Sequence, residues 1–349
     1  MLSRTADNLY WMTRYVERAE NMARILDVSY RMSQLPRNGT DAAVEWEPAL
    51  IISGQKPAFE TRFEEITAGN VIAYMALDPE NPSSIVSTLH AARENARAER
   101  FVLPQEMFEG LNATWLELQS LSYARLVDWG FREFFEWVKE RSHQFLGTTI
   151  GTMLQTDGFH FTRLGTFIER ADNTARLLDV KYHVLMPDEN RLDEAVDYYQ
   201  WGAVLRAMSA LKAYRMVYRD TIKPRQVIDL LTLKREFPRS LHLCYESLHD
   251  LLEHLAPGAE CTRLTGEMHA KLRYGRIQDI TRRGLHRFLT DFITHNAAVS
   301  AEIGRTFHLV ADIGVQTPVK EIKEAKEAKR ADDGAEAEEA DPVQQQQRQ

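Results

Sequence analysis

The chain has 349 residues, of which 44% are hydrophobic and 27% are charged, values typical of a globular protein with a sizeable core. Its net charge is −8 and it has no patch rich in lysine and arginine, which argues against binding of DNA or RNA. No run is long and apolar enough for a membrane span, and the N-terminus lacks the layout of a signal peptide. Cys244 and Cys261 lie far apart, in no metal-binding spacing, and fit a reducing compartment. We therefore expect a cytoplasmic protein that binds neither nucleic acid nor a membrane.

Helical spacing of apolar residues runs through most of the chain. The helices predicted in chain order run from Ser3 or Thr5 to about Gln34, over 43–53, 59–77 and 84–100, from Pro104 onward, and over 131–155, 157–186, 193–219, 239–255 and 262–308. No segment shows a period of two with β-branched residues, so no sheet is predicted. We expect an all-α fold, a large helical bundle over residues 1–312. Residues 313–349 are charged and rich in alanine and glutamine, which predicts a disordered tail.

One segment of fourteen residues occurs twice. Residues 17–30 read ERAENMARILDVSY, and residues 169–182, which lie 152 positions later, read ERADNTARLLDVKY, with ten identities. Self-similarity of this kind predicts an internal duplication, with copies at 1–34 and 157–186 that each form one helix.

The repeated segment has two distinct helical faces. Ala19, Ala23, Leu26 and Tyr30 follow the spacing of a packing stripe. The opposite face carries the same residues in both copies, namely Glu17, Asn21, Arg24 and Val28 in the first and Glu169, Asn173, Arg176 and Val180 in the second. A solvent-exposed face would need only some polar residues, so we expect this face to contact protein or ligand.

Glu169 has no basic residue three or four positions away on its own helix, so its partner must come from another helix, a ligand or water. The simplest hypothesis is reciprocal packing of the two copies, with Glu17 meeting Arg170 and Glu169 meeting Arg18. Acid–base pairs in a duplicated helix are more often a device that sets the register of packing than a catalytic site. Both interpretations stay open at this point, and Glu17 and Glu169 are the candidates for catalysis.

Arginines on otherwise apolar helices could bind a carboxylate or phosphate with two parallel hydrogen bonds. They could equally cap the C-termini of helices or pair with Glu17, Glu94 and Glu169. The candidates for ligand binding or for a network between helices are Arg18, Asn21, Arg24, Arg93, Arg97, Arg170, Asn173, Arg176, Arg206, Tyr214 and Arg239.

A second polar pattern lies on the helix predicted at 239–255. Glu246 and His249 form a Glu-x-x-His motif, the spacing used in di-iron and di-manganese bundles, and His242 and Glu253 share their face. Such sites need a second copy of the motif, which the chain lacks, so a polar face in solvent is the favoured interpretation. No metal site is predicted. The chain also has no glycine-rich phosphate loop and no nucleophile elbow.

The two Glu-Arg segments resemble the bacterial alpha-E family, all-helical proteins of unknown function named for this motif. The resemblance covers about residues 1–310. Further segments that carry it are SRTA at 3–6, LYW at 9–11, DPENPSSI at 78–85, ARENAR at 92–97, YYQW at 198–201 and FPRS at 237–240. Thr13 departs from the family, which often has glycine at this position, where the two helices would approach closely.

The resemblance implies partners rather than a reaction. Proteins of this family are companions of circularly permuted ATP-grasp proteins, which resemble amide or peptide ligases, and of transglutaminase-like cysteine proteases. The chain would need no cofactor of its own, because ATP and Mg would enter only through the ligase. We expect a non-catalytic scaffold or substrate-binding protein for such a ligase. The alternatives are an enzyme that uses Glu17 and Glu169 as acid and base, and a carboxylate–metal helical bundle.

Overall fold

The computed structural model describes residues 1–34, 43–184 and 194–309, and this part of the chain contains helices joined by turns and no strand, which confirms the all-α fold. The α-helices are α1 (Ser3–Ser33), α2 (Ala43–Ile52), α3 (Lys56–Glu60), α4 (Ala68–Ile72), α5 (Ile85–Ala98), α6 (Gln105–Leu118), α7 (Tyr123–Trp129), α8 (Phe131–Thr152), α9 (Asp157–Val184), α10 (Glu194–Ala207), α11 (Leu211–Tyr218), α12 (Pro224–Thr232), α13 (Leu241–Leu255), α14 (Glu260–Arg273), α15 (Ile277–Arg283) and α16 (Leu285–Phe307). A π-helical turn, Ala73–Leu77, follows α4. None of the described helices combines the length and the hydrophobicity that crossing a membrane requires. The predicted tail, 313–349, lies outside the described residues.

Helices α1 and α9 carry the two copies of the repeated segment and pack against each other. Helix α1 also packs against α2, α5 and α8, and α9 packs against α13 and α16. Ala19, Ala23 and Leu26 are buried, which confirms the packing stripe. The polar face is buried too, as expected, so α1 is enclosed on all sides through its middle turns. The duplication itself stays a prediction.

The hydrophobic core has two parts, and α1 belongs to both of them. Its first half, up to Val16, packs with residues of α9, α13 and α16. Its second half, from Ala19, packs with residues of α2, α5 and α8. Glu17 and Arg18 lie at the boundary, where the helix passes from one apolar cluster to the other. Charged side chains buried at this point need partners from the neighbouring helices, because an isolated charge in the interior is very costly.

The helices α1 and α9 approach each other closely at Gly165. A Cβ atom at this position would overlap the backbone oxygen of Tyr10 and Oγ1 of Thr13. Gly165 holds in the second copy the place that Thr13 holds in the first, 152 positions earlier. The family often has glycine at position 13, where this chain has Thr13. The close contact between α1 and α9 is therefore provided by Gly165 of the second copy.

The helix predicted over 193–219 is interrupted. Helix α10 ends at Ala207, α11 begins at Leu211, and Ser209 between them has a φ of 53°, a left-handed conformation. Arg24 donates to Oγ of Ser209 at 2.5 Å and to the carbonyl oxygen of Ala207 at 3.4 Å. These contacts from α1 compensate for the lost helical turn, and periodicity alone could not reveal them.

Other helix boundaries also differ from the prediction. The segment 262–308 is divided among three helices, with breaks around Gly275 and at Gly284. Gly284 has a φ of 93°, and at Gly275 a Cβ atom would crowd the backbone oxygen of Lys271, so each break uses a glycine. The segment 59–77 is divided between α3, α4 and the π-helix, with Thr67 capping α4. Helix α1 begins at Ser3, one of the two predicted starts, and Leu2 occupies its N-cap position without a side-chain bond. Ser84 caps α5, because its hydroxyl accepts from the amide of Ser87.

Candidate functional site

Glu17 is buried where α1, α9 and the start of α13 meet. Arg170 of α9 donates from Nε and Nη2 to the two carboxylate oxygens of Glu17, at 2.9 and 2.8 Å. Arg239, which precedes the N-cap residue of α13, donates from Nη1 to Glu17 at 2.8 Å and to Oδ1 of Asn21 at 3.2 Å. Two arginines from two different elements therefore share one carboxylate.

Glu20 extends this cluster by one turn of α1. Arg239 donates from Nη2 to Glu20, and Arg24 donates to the same carboxylate from Nε at 2.9 Å and from Nη2 at 2.6 Å. The other oxygen of Glu20 accepts from Oγ of Ser142 on α8 at 2.6 Å. We call this set the Glu17 centre; it consists of Glu17, Glu20, Asn21, Arg24, Arg170 and Arg239.

Glu169 occupies a second centre on the other side of the contact between α1 and α9. Arg18 donates to its two carboxylate oxygens at 2.7 and 3.1 Å, and Arg14 donates to it at 2.9 Å. Asn173 donates to the backbone oxygen of Glu169 at 2.9 Å. Glu169, Arg14, Arg18 and Asn173 form what we call the Glu169 centre. The predicted reciprocal pairing, Glu17 with Arg170 and Glu169 with Arg18, is confirmed.

The glutamates of both centres are ionised at neutral pH. Burial would raise the pKa of Glu169, but the charges of Arg18 and Arg14 outweigh it and lower that pKa to about 2. Burial is likewise outweighed at Glu17, whose pKa is lowered by Arg170 and Arg239. A general acid or base works best with a pKa near the pH of the reaction. Carboxylates held in this way suit charge pairing, and the geometry disfavours acid–base catalysis by Glu17 and Glu169.

Positive charge is in excess around the Glu17 centre. Three arginines face two glutamates within it, and the pKa of Arg24 is lowered by burial and by the nearby charge of Arg239. Arg163, two turns before Arg170 on α9, has a pKa lowered to about 10 by burial and by Arg170. Its buried Nη1 has no hydrogen-bond partner among the described residues. An anion bound nearby would relieve this repulsion.

A cleft of about 410 Å³ opens beside the Glu17 centre, and we call it the Arg239 cleft. Four cationic and two acidic side chains line it, together with one imidazole; they are Arg24, Arg170, Lys234, Arg239, Glu20, Glu236 and His143. Apolar side chains form much of the remaining wall, among them Leu146, Met208, Val217, Leu230 and Phe237. The carboxylate of Glu169 and its two arginines are not part of this lining.

A family model described as a predicted alpha-helical domain with a conserved ER motif matches residues 1–308. The chain belongs to the Alpha-E family. In this Alpha-E chain, the two Glu-Arg dipeptides, 17–18 and 169–170, are the residues that pair across α1 and α9.

Relatives of the chain extend beyond the matched region. Uncharacterised proteins from Mycobacterium bovis and from two strains of Mycobacterium tuberculosis are 29% identical to it over 133 residues. These matches cover 35% of the Alpha-E chain and 14% of the length of each relative. No solved structure matches the chain.

Arg93 and Arg97, two of the predicted site residues, lie outside both centres of the Alpha-E chain. Each of them pairs with Glu94, and Arg93 also donates to Oδ1 of Asn112 at 3.1 Å. The alternative of local pairing, considered from the sequence, therefore describes Arg93 and Arg97. Arg176 makes an ion pair with Asp172 one turn earlier, at 2.5 Å.

Two further predicted site residues, Tyr214 and Arg206, lie away from both centres. Tyr214 is buried, and its hydroxyl oxygen lies 2.8 Å from the backbone oxygen of Thr221 and 2.5 Å from Oε1 of Gln226, either of which can accept its one proton, so it ties α11 to α12. Arg206 is exposed on α10. Neither residue lines the Arg239 cleft.

The polar face of α13 is not a simple solvent-exposed face, so that expectation was wrong for His242. This residue is buried, and its Nδ1 lies 2.9 Å from the backbone oxygen of Leu233. Both carboxylate oxygens of Glu246 accept from Arg235 at 2.7 Å, which leaves Glu246 engaged rather than turned toward His249. Cys244, on the same helix, is buried, and burial raises its pKa to about 12, so it is not an activated nucleophile.

Sequence reasoning missed Arg14 and the central place of Arg239. Arg14 adds a second cation to Glu169, and Arg239 joins Glu17 to Glu20 from more than 200 positions away. The sequence contains a signal for Arg14, which is a difference between the two copies. Arg14 carries a charge, whereas Thr166, at the equivalent position of the second copy, carries none. A long-range partner such as Arg239 has no such signal.

Proposed function

We propose that this Alpha-E protein is a non-catalytic accessory protein that binds an anionic peptidic substrate in the Arg239 cleft and presents it to an ATP-grasp amide or peptide ligase. The observation that carries the proposal is the lining of the cleft, in which four cations outnumber two acids beside apolar walls. A site of this kind suits a ligand that joins a carboxylate to an apolar body.

The arginines of the cleft keep donors for a ligand after they have bound the glutamates. A guanidinium carries five N–H donors. Within the described residues, Arg170 uses Nε and Nη2, both toward Glu17, and its Nη1 makes no hydrogen bond. Arg239 uses Nη1 and Nη2, and its Nε makes none. The glutamates thus hold the arginines in place, and the remaining N–H groups are positioned for an incoming carboxylate.

An accessory role fits the ionised state of the buried glutamates and the buried, protonated thiol of Cys244, because neither is prepared for proton transfer or nucleophilic attack. The partner is the one that the family resemblance implies, a circularly permuted ATP-grasp protein, with a transglutaminase-like protein in the same system. The relatives support a modular arrangement, since the matched region is only 14% of each of their chains.

A binding experiment tests the cleft. The probes are a short peptide of glutamate and leucine and its uncharged counterpart with glutamine in place of glutamate, titrated by calorimetry. We expect the acidic peptide to bind and the glutamine peptide to bind much more weakly. Lys234→Gln should weaken binding about fivefold, as expected for one cation close to a carboxylate in water. Lys212→Gln, an exposed lysine that is not part of the cleft lining, is the matched control. Equal affinity of both peptides, or no effect of Lys234→Gln, would contradict the proposal.

The partner is tested by co-purification with the ATP-grasp protein and by an ATP-dependent ligation assay with and without this chain. We expect association and a higher yield of product in its presence. The Glu169→Gln variant separates the accessory role from an enzymatic one. If this variant keeps its fold and its association with the ligase but abolishes product formation, the protein is itself catalytic and the proposal is wrong.

A further inference from the structure

Three side chains that can bind a metal meet where α9 begins and α13 ends. Asp157 is the first residue of α9, His160 follows one turn later, and His254 lies in the last turn of α13. One ligand atom from each of the three lies within 4.8 Å of the others. The centroids of the two imidazole rings are 4.3 Å apart. The cluster is separate from the Glu17 and Glu169 centres and from the Arg239 cleft.

These three side chains have no other evident function in the fold. Within the described residues, none of them takes part in a side-chain hydrogen bond or an ion pair, and Nδ1 of His160 is buried without a partner. Two other histidines are engaged: His286 bonds to Asp179 at 2.6 Å, and His295 bonds to the backbone of Leu264 at 3.0 Å. Buried ring nitrogens of His242, His249 and His269 also lack a partner, but among the described residues these three do not form a metal-binding group with a carboxylate. A buried polar atom without a partner in a native fold calls for an explanation, and an ion is one of the few available.

We propose that Asp157, His160 and His254 form a zinc site that links the start of α9 to the end of α13. Two imidazoles and one carboxylate are a ligand set of zinc proteins, and a water molecule would complete the tetrahedron. Imidazole ligands favour Zn²⁺ over Mg²⁺ and Ca²⁺, which prefer oxygen. Asp157 and His254 are exposed, so their side chains are free to rotate toward an ion. A tetrahedral zinc ion holds its nitrogen and oxygen ligands about 3.4 Å apart, which small rotations of these side chains can reach.

The local electrostatics favour a bound cation. His254 lies at the C-terminal end of α13, where the exposed carbonyl groups attract positive charge. Asp157 adds a negative charge that balances part of the ion's own. The bound ion would join the helix that carries Arg170 to the helix that follows Arg239.

The test is a calorimetric titration of the metal-free chain, without a polyhistidine tag, with zinc chloride. We expect one saturable site per chain. His160→Gln and His254→Gln should each weaken zinc binding at least tenfold, and Asp157→Asn should weaken it by less. His249→Gln and Glu246→Gln, which alter the Glu-x-x-His motif of α13, are the matched controls and should leave the affinity unchanged.

A thermal denaturation series supplies a second readout. Zinc should raise the melting temperature of the wild-type chain, because an ion bound only to the folded state stabilises it, and it should not do so in His254→Gln. His254 is exposed, so this variant is the decisive one if His160→Gln fails to fold. The proposal is overturned if the wild-type chain takes up no zinc at a single site, if His254→Gln binds zinc as tightly as the wild type, or if His249→Gln abolishes binding.

Discussion

The Glu17 centre and the Glu169 centre begin from nearly the same sequence and have different surroundings. Glu169 receives both of its arginines from one helix, as Arg14 and Arg18 lie one turn apart on α1. Glu17 receives Arg170 from α9 and Arg239 from the segment before α13. The residues of the Glu169 centre therefore come from two helices, whereas those of the Glu17 centre come from three elements.

The difference originates at two positions of the repeat. Arg14 of the first copy corresponds to Thr166 of the second, so α9 has no arginine at the position from which Arg14 bonds to Glu169. Glu20 corresponds to Asp172, a shorter acid whose ion pair is with Arg176 on its own helix. Arg239 supplies the missing charge to Glu17 and binds Glu20 as well. The second arginine of the Glu17 centre thus comes from outside the repeat.

This contrast shows how the structural and functional interpretations of the motif can both hold. The Glu169 centre behaves as a device that sets the register of α1 against α9. The Glu17 centre makes the same contact, but it also borders a cleft that is lined by four cationic and two acidic side chains. We infer that register depends mainly on Glu169 and that ligand binding depends on the Glu17 centre.

The largest expected effect is the loss of the Glu169 carboxylate. Glu169→Gln should lower the free energy of unfolding by about 3–5 kcal/mol, because it removes the carboxylate that two buried arginines share. Glu17→Gln should cost less, about 2 kcal/mol, since only Arg170 then lacks a carboxylate, whereas Arg239 keeps its bond to Glu20. Chemical denaturation followed by circular dichroism measures both. Equal losses in the two variants would remove the distinction between the centres.

The same centre should control stability in acid. The pKa of Glu169 is about 2 in the folded protein against an ordinary value of 4.5, so the folded state binds this proton less readily than the unfolded state. Its contribution is therefore complete above pH 4.5 and is lost as the pH falls toward 2, by about 3 kcal/mol in total. Denaturation curves at pH 7, 5, 4 and 3 measure the loss. Glu169→Gln should show a smaller dependence over this range, and an unchanged slope in that variant would contradict the assignment.

A somewhat smaller effect is expected where α1 and α9 approach each other. Gly165→Ala should destabilise the fold by about 1–3 kcal/mol, because its Cβ would overlap the backbone of Tyr10 and the helices would have to separate. Gly147→Ala is the matched control, since a Cβ on this exposed glycine of α8 meets no atom within 4 Å. It should leave stability unchanged or raise it by up to about 1 kcal/mol, as alanine favours helix. A neutral Gly165→Ala would show that the close contact is not required.

Local periodicity was sufficient to predict the fold class and the main helices. The same period of 3.6 residues that marks Ala19, Ala23 and Leu26 as a packing stripe also places Glu17 on the other face. The absence of a base near Glu169 then predicted a partner on another helix, and Arg18 is that partner. These inferences succeeded because they concern neighbours within one turn, or two copies of one segment.

Features that depend on distant contacts could not be predicted from the sequence. The interruption at Ser209 is linked to Arg24, which lies 185 positions away. The Arg239 cleft needs α1, α8, α9 and the segment around Phe237 to be assembled before it exists. Arg239 was one candidate among many arginines, and only the fold distinguishes it from Arg93 and Arg97, which pair locally with Glu94.

The smallest expected effect, and the most direct comparison of the two centres, comes from double-mutant cycles. The coupling energy between Glu169 and Arg18 should be about 2 kcal/mol, and that between Glu17 and Arg170 about 1 kcal/mol, within the usual range for residues in contact. The second value is smaller because Arg239 continues to bind Glu17 when Arg170 is replaced by glutamine. Replacing Arg239 by glutamine in the background of the second cycle should therefore raise the coupling between Glu17 and Arg170 toward that of the first. A coupling energy near zero for either pair would mean that the reciprocal contact does not stabilise the fold. If the coupling energy between Glu17 and Arg170 is unchanged without Arg239, then Arg239 does not share the carboxylate of Glu17.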